Sequence, residues 1–352
     1  MPGRLIELVG AIHIHSNFSD GTKSIPEIAE IAGRAGLDFI MVSDHMTLEP
    51  LKQGLEGFYD KTAVLIGYEI NDPDDKNHYL AYGLDEIIEP GRRAVDYVPL
   101  VRQKGGLGII AHPDEVRNRL AKYPSYPWTA WDAAGFDGIE IWNHMSQWME
   151  SLSRWNMLKQ AVTPRRSLKS PTREILKRWD DLNSQRRVLG VGSIDVHAYP
   201  YRLGPLRKTI FPYKVQFRAI RTHILIPEDT ARDFDSMKKA IYESLRECRV
   251  FISNYRWGDA SGFESYVENE HGQAFCGEEL IWDTDTAMNI ALPHAAFVRL
   301  MHDGEESFCG IGRNFKIKLS PGLYRVEAYV LDKGWVFSNH IRINKKEGET
   351  KA

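Results

Sequence analysis

Cysteine is scarce and scattered: Cys248, Cys276 and Cys309 are the only three among 352 residues. An odd count at such wide spacing builds neither a disulfide framework nor a zinc-finger ligand set, so the thiols read as idle. Basic charge is not in excess either. With 45 Lys and Arg against 48 Asp and Glu, the formal net charge is −3, which gives bulk nucleic-acid binding no electrostatic support. No uninterrupted apolar run reaches membrane-spanning length, and the first residues carry no secretory apolar region. There is no internal repeat and no low-complexity segment. These absences predict a water-soluble protein of the reducing cytoplasm without a membrane partner.

What the chain does have is histidine at strand ends. Residues 5–15 form an apolar run closing on His13-Ile14-His15, followed by Asp20-Gly21. In a strand, positions i and i+2 share a face, so His13 and His15 are expected to project together, with Ile12 and Ile14 opposite them. Further on, Ser43-Asp44-His45 closes the apolar run 37–43 and Glu69 lies in the run 63–70. His78, His112 (before Pro113) and Asp195-Val196-His197 follow. Imidazoles and carboxylates gathered at strand ends suit a transition metal. The nine groups exceed the three or four protein ligands of one catalytic ion, so two or three ions fit the count.

Ser24-Ile25-Pro26-Glu27 is a helix-start pattern and Gly36 a stop. Helical material is expected up to about Lys61, near 94–104, through most of 145–186, and near 231–247. Short apolar strands alternating with helices predict a parallel sheet buried on both faces, and about seven such units fit a β/α barrel with its site at the C-terminal strand ends. After Tyr255 the pattern changes. Gly258–Gly262 reads as a linker, and alternating segments at 287–292, 297–301, 315–319, 324–331 and 340–343 predict a small sandwich-like all-β domain. The expected division is 1–257 for the barrel, with a helical insertion at about 145–186, and 258–352 for the β-domain.

The ordered set His13-x-His15 with Ser19-Asp20-Gly21, Ser43-Asp44-His45, Glu69, His78, Ala111-His112-Pro113 and Gly192-Ser193-x-Asp195-x-His197 resembles the motifs of the PHP (polymerase and histidinol phosphatase) family, over residues 1 to about 255. The resemblance implies a distorted (β/α)7 barrel with a trinuclear site. It implies that His13, His15, Glu69 and Asp195 hold one ion, Asp20, His45 and His197 a second, and a bridging Glu69 with His78 and His112 a third, the metals being Zn, Mn or Fe. Asp44 is expected to orient a ligand. The stretch from Gly322 to Asn339 is similar to a trailing β-domain of one PHP subgroup that includes carbamate and ester hydrolases.

The chemistry implied is hydrolysis by a hydroxide shared between two ions, without a Ser or Cys nucleophile. His13, His15, Asp20, His45, Glu69, Asp195 and His197 form the catalytic set, and Ser16, Ser19 and Ser193 read as supporting residues. The leading expectation is a metal-dependent phosphoesterase acting on a small phosphorylated metabolite or nucleotide, with Arg202 and Arg207 holding the anion. A carbamate or carboxyl ester hydrolase using the same site, and a non-catalytic metal-binding protein, are the alternatives.

Overall fold

The computed structural model describes residues 4–117, 124–153, 155–203 and 206–345. The fold is mixed α/β. The chain opens with β1 (Leu5–Ile14), α1 (Ile25–Arg34), β2 (Phe39–His45), α2 (Glu49–Lys52), β3 (Gly57–Tyr59) and β4 (Thr62–Ile70). β5 (Tyr79–Tyr82), α3 (Ala94–Gln103), β6 (Leu107–Ile110) and β7 (Gly138–Asn143) follow. Next come α4 (His144–Ser151), α5 (Met157–Val162), α6 (Arg173–Gln185) and β8 (Leu189–Ser193), then a hairpin of β9 (Tyr199–Leu203) and β10 (Leu206–Ile210). α7 (Tyr213–Gln216), β11 (Ile220–Pro227), α8 (Phe234–Arg246) and β12 (Val250–Asn254) complete this part.

Local signals account for α1. Ser24 N donates to Glu27 Oε2 at 3.0 Å and Pro26 sits in the first turn. At the other end Gly36 takes φ +76°, and Leu37 N donates to Ala32 O while Gly36 N donates to Gly33 O. That is a Schellman stop, for which glycine is the preferred residue.

Strands β1, β2, β4, β5, β6, β7 and β8 lie side by side in that order. Alternate residues of each are buried on opposite faces: Phe39 and Met41 join Leu8, Leu65, Ile109 and Val191 in one cluster, while Ile40 and Val42 join α1, α3 and α6 in another. The inner space is so filled that a Cβ on Gly10 would meet the Phe39 ring at 2.2 Å.

The structure departs from the sequence expectation in three ways. β5 runs antiparallel to both neighbours, because only eight residues join it to β4, too few for a parallel crossover. The segment before Lys61 is mostly not helical: after the four residues of α2 it forms β3, paired to β4. Finally, the sheet is not a closed ladder. β11 pairs antiparallel with β1 from Leu5 to Gly10, so β8 reaches β1 only beyond that point. There Ile194 N donates to Ile12 O, Val196 N to His13 O and His15 N to Val196 O, at 3.0–3.3 Å. The two ends of the seven-strand run meet only at the rim that carries His13 and His15.

From residue 264 to residue 345 the only regular elements are strands: β13 (Glu264–Asn269), β14 (Gly272–Phe275), β15 (Glu279–Ile281), β16 (Ala287–His302), β17 (Glu305–Lys318), β18 (Gly322–Val330), β19 (Lys333–Ser338) and β20 (Ile341–Asn344). The segments expected at 287–292 and 297–301 are one strand. β16 is irregular between Ala291 and Ala296, around Pro293; its first half pairs with β13 and its second with β18. Met288, Val298, Val326 and Trp335 are buried in a third apolar cluster there.

This part is tied to the rest by buried polar groups. Arg325 of β18 forms a two-pronged contact with Asp180 of α6, at 2.6 and 2.8 Å, and His340 Nε2 donates to Asp180 at 2.7 Å. Asn339 holds both backbone groups of Gly190 at the foot of β8, at 2.8 and 2.9 Å. All three cysteines are free, and no described helix is long and apolar enough to cross a membrane.

Candidate metal centre

The rim of the seven-strand run brings all nine candidate ligands into one cup. Glu69, 1% exposed, sits at its centre. Its Oε2 lies 3.1 Å from His13 Nε2, 3.3 Å from His15 Nε2 and 3.4 Å from His45 Nδ1; its Oε1 lies 2.7 Å from His78 Nδ1 and 3.5 Å from His112 Nε2. Asp195 Oδ1 is 3.5 Å from His13 Nε2, His15 Nε2 and His197 Nδ1. Asp20 faces His197 Nε2 at 3.3 Å, His15 Nδ1 at 3.6 Å and His45 Nε2 at 3.9 Å.

How each side chain gets there is not plain strand geometry. Ile12 packs in the inner cluster, yet Ile14 packs in the outer one. A bulge between them, with His13 at φ +66°, breaks the alternation, so that His13 faces the cup together with His15. His112 at φ +30° and Asp195 at φ +50° are left-handed as well. Such a conformation costs a non-glycine residue energy and persists only where the surroundings enforce it. His78 precedes its strand rather than following it; because β5 is antiparallel, that end lies on the same rim.

The donor set fits bound cations. Two ligand atoms each about 2.0–2.2 Å from one ion, at tetrahedral or octahedral angles, lie roughly 3.0–3.5 Å apart, and most of the separations above fall in that range. Both ring nitrogens of the buried His15 and Nε2 of His78 lack a hydrogen-bond partner, a costly state unless something else satisfies them. Three overlapping groups have ligand atoms within 4.8 Å of one another: His13, His15 and Asp195; His15, Asp20, His45 and His197; His45, Glu69 and His78.

Charge follows the packing. Burial pushes the Glu69 carboxyl up, but His13, His45 and His78 outweigh it and hold it well below its ordinary range. Burial opposes protonation of His13, but Asp195, Glu69 and Glu140 prevail and raise it. His15, fully enclosed and facing His197, is pushed down to about 3 and stays neutral.

Two contributors were missed in the sequence. Glu140 of β7 accepts from His13 Nδ1 at 2.7 Å, from His112 N at 2.8 Å and from Asn143 Nδ2 at 2.8 Å. It leaves His13 Nε2 aimed into the cup. A carboxylate between two buried isoleucines, Ile139 and Ile141, needs a partner, and that signal was available. Tyr199 of β9 donates to Asp20 and stacks on His197; no sequence pattern points to it. Asp44 holds the turn leading to Asp20, accepting from Ser16 N and from the hydroxyls of Ser16 and Ser19 at 2.5–2.7 Å.

Arg202 is not brought to the cup. It is exposed, and its register opposite Arg207 puts it on the hairpin face away from Tyr199. That face includes Pro200 and Thr209, which border a cleft of about 520 Å³ with Lys23, Lys214 and Arg218. The Arg207 side chain lies outside the described residues.

No protein-family model matches the sequence, and no curated protein sequence matches it. Among solved structures, the chain aligns with a two-domain protein of Bacteroides vulgatus containing a predicted PHP-like metal-dependent phosphoesterase, at 14% identity and TM-score 0.49, covering 96% of this chain and 95% of that one. A candidate metal-dependent phosphoesterase of Bifidobacterium adolescentis aligns at 14% identity and TM-score 0.34, over 67% of this chain and 96% of that one. An amidohydrolase of Chromobacterium violaceum, with bound sulfate and no metal, aligns at 14% identity and TM-score 0.33, over 59% and 96%.

Glu140 gives the first prediction. Glu140→Gln keeps the side-chain size but removes the charge behind His13. Affinity for Mn²⁺ or Zn²⁺ should fall about 10- to 100-fold, read by competition with a chromophoric chelator. Unchanged affinity would show that Glu140 only fills space.

Proposed function

We propose that this chain is a PHP-type metal-dependent hydrolase built on a distorted (β/α)7 barrel, and that its reaction is phosphoester hydrolysis on a small anionic substrate. One observation carries the reading: a buried carboxylate, Glu69, has five imidazoles within 3.5 Å. Residues 1–257 are the hydrolase unit in this reading and 258–352 the supporting β-domain.

His13, His15, Asp195 and Glu69 would hold one divalent ion; Asp20, His45 and His197 a second; Glu69 with His78 and His112 a third. The bound ions would supply Lewis acidity and bring the ionisation of water toward neutral pH. The chain's own part is to fix and shield. His13, His15 and Glu69 are buried, whereas the side chains of Asp20 and His45 are 39% and 31% exposed, so substrate meets the cup from the Asp20 side. Asp20 is held ionised: burial opposes this, but His197, His15 and the Tyr199 hydroxyl outweigh it. It is therefore present as a carboxylate at the open edge, the form a cation ligand requires. Glu140 and Asp44 keep the ligands in place before substrate arrives.

A substrate panel tests the reading. With Mn²⁺ or Zn²⁺ supplied, the protein should hydrolyse phosphomonoesters or phosphodiesters and leave carboxyl and carbamoyl esters intact. Hydrolysis of a carbamate or carboxyl ester with every phosphoester untouched would overturn it.

A further inference from the structure

The rings of the cup form a column that runs outward. His15 stacks on His197 at 4.1 Å and 11°, and His197 stacks on Tyr199 at 5.0 Å and 16°. The column starts at a fully buried histidine, His15, and ends at Tyr199, a residue that is 44% exposed. Among the described residues, no other ring and no cation covers the outer face of Tyr199.

A second aromatic stack at the cup is closed. Tyr126 lies on His78 at 5.1 Å and 26°, but the Arg117 guanidinium also lies over the Tyr126 ring, 5.5 Å from its centroid. Tyr126 reads as packing, whereas Tyr199 offers a surface.

The hairpin adds a second ring beside that surface. Tyr201 is 39% exposed and stands two residues along the same strand, on the same hairpin face as Tyr199 by the register Tyr199↔Ile210, Tyr201↔Lys208. Successive same-face residues of a strand are about 6.6–6.8 Å apart, room for one flat ring at roughly van der Waals separation from each neighbour. The Tyr199 hydroxyl is engaged with Asp20, which fixes the tilt of its ring. The polar alternative, Arg202, faces away.

We infer that Tyr199 and Tyr201 form a stacking platform for a flat aromatic or heteroaromatic group, so that the preferred substrates are esters carrying such a ring next to the anionic centre. The inference rests on the hydrolase reading for where the anion sits, but not on which ester is cleaved. Tyr201 acts here as a specificity-determining residue without touching any of the nine candidate ligands.

Four non-hydrolysable probes separate these points: phenylphosphonate and methylphosphonate, benzoate and acetate, each titrated calorimetrically into the metal-loaded full chain. Phenylphosphonate should bind about tenfold more tightly than methylphosphonate, the size of one stacking contact. Tyr201→Ala should shrink that preference to about threefold or less while leaving methylphosphonate affinity unchanged, and Tyr201→Phe should restore it. Equal binding of the ring and methyl probes in both pairs, or a preference intact in Tyr201→Ala, overturns the platform. A ring preference confined to benzoate over acetate keeps the platform and contradicts the phosphoester reading. No binding by any of the four contradicts both.

Discussion

Glu69→Ala should yield a folded protein that has lost both its metal and its turnover. Glu69 reaches five imidazoles with two oxygens, so no single other substitution removes as many shared contacts. Loss of the ions forfeits several kcal/mol of charge stabilisation in the transition state, corresponding to a rate drop of at least roughly 10³-fold. His13→Ala and Asp195→Ala should act in the same direction. Elemental analysis beside kcat/KM checks this. A Glu69→Ala protein that retains its metal and more than about a tenth of its activity would show that Glu69 is not the bridge.

The second large effect concerns stability. Asp180→Ala should cost about 3–5 kcal/mol, because it leaves the Arg325 guanidinium buried without one of its two carboxylates, the other being Glu327. Asp180→Asn should cost less, since an acceptor remains. The lock also limits acid tolerance. Burial pushes His340 down to about 4, so at neutral pH it is a neutral donor to Asp180 and the ion pair belongs to Arg325. The unfolded chain binds that proton below about pH 6.5, so stability should fall as pH drops from about 6.5 to 4. Burial opposes ionisation of Asp180, but Arg325 and His340 prevail and hold it near 2. Its contribution is present above about pH 3.8 and is lost as pH falls toward 2. Each step is on the order of 2–4 kcal/mol. Urea unfolding at pH 7 and 4.5 reads the first window, and the drop should shrink in His340→Gln. An unchanged drop would place the acid sensitivity elsewhere.

The cup of candidate ligands was legible because metal chemistry leaves few residue types to choose from. Imidazoles and carboxylates ending apolar runs stand out at His13, His15, His45, Glu69, His112, Asp195 and His197, and the structure gathers all of them with Asp20 and His78. What the sequence hid is geometry set by neighbours. The bulge at His13 interrupts the β1–β2 ladder at the rim where the chain after β8 meets β1, and it has no local signature. The reversed β5 follows from a connection too short for a crossover, yet the run His78–Gly83 reads the same in either direction. β13 to β15 are short and their apolar residues sparse, so alternation did not reveal them. The segments expected at 287–292 and 297–301 are one strand whose ladder is irregular around Pro293. Arg202 looked close to the site in sequence, but strand parity turns it away, and parity depends on a register that only the folded hairpin fixes.

The most direct test is a metal count with positions: elemental analysis of the purified chain, followed by diffraction at the absorption edge of the metal found. The account predicts two or three ions per chain, all within coordination distance of the cup and at least one bound to Glu69. Less than one ion per chain after metal supplementation, or ions bound elsewhere while the cup stays empty, would contradict it.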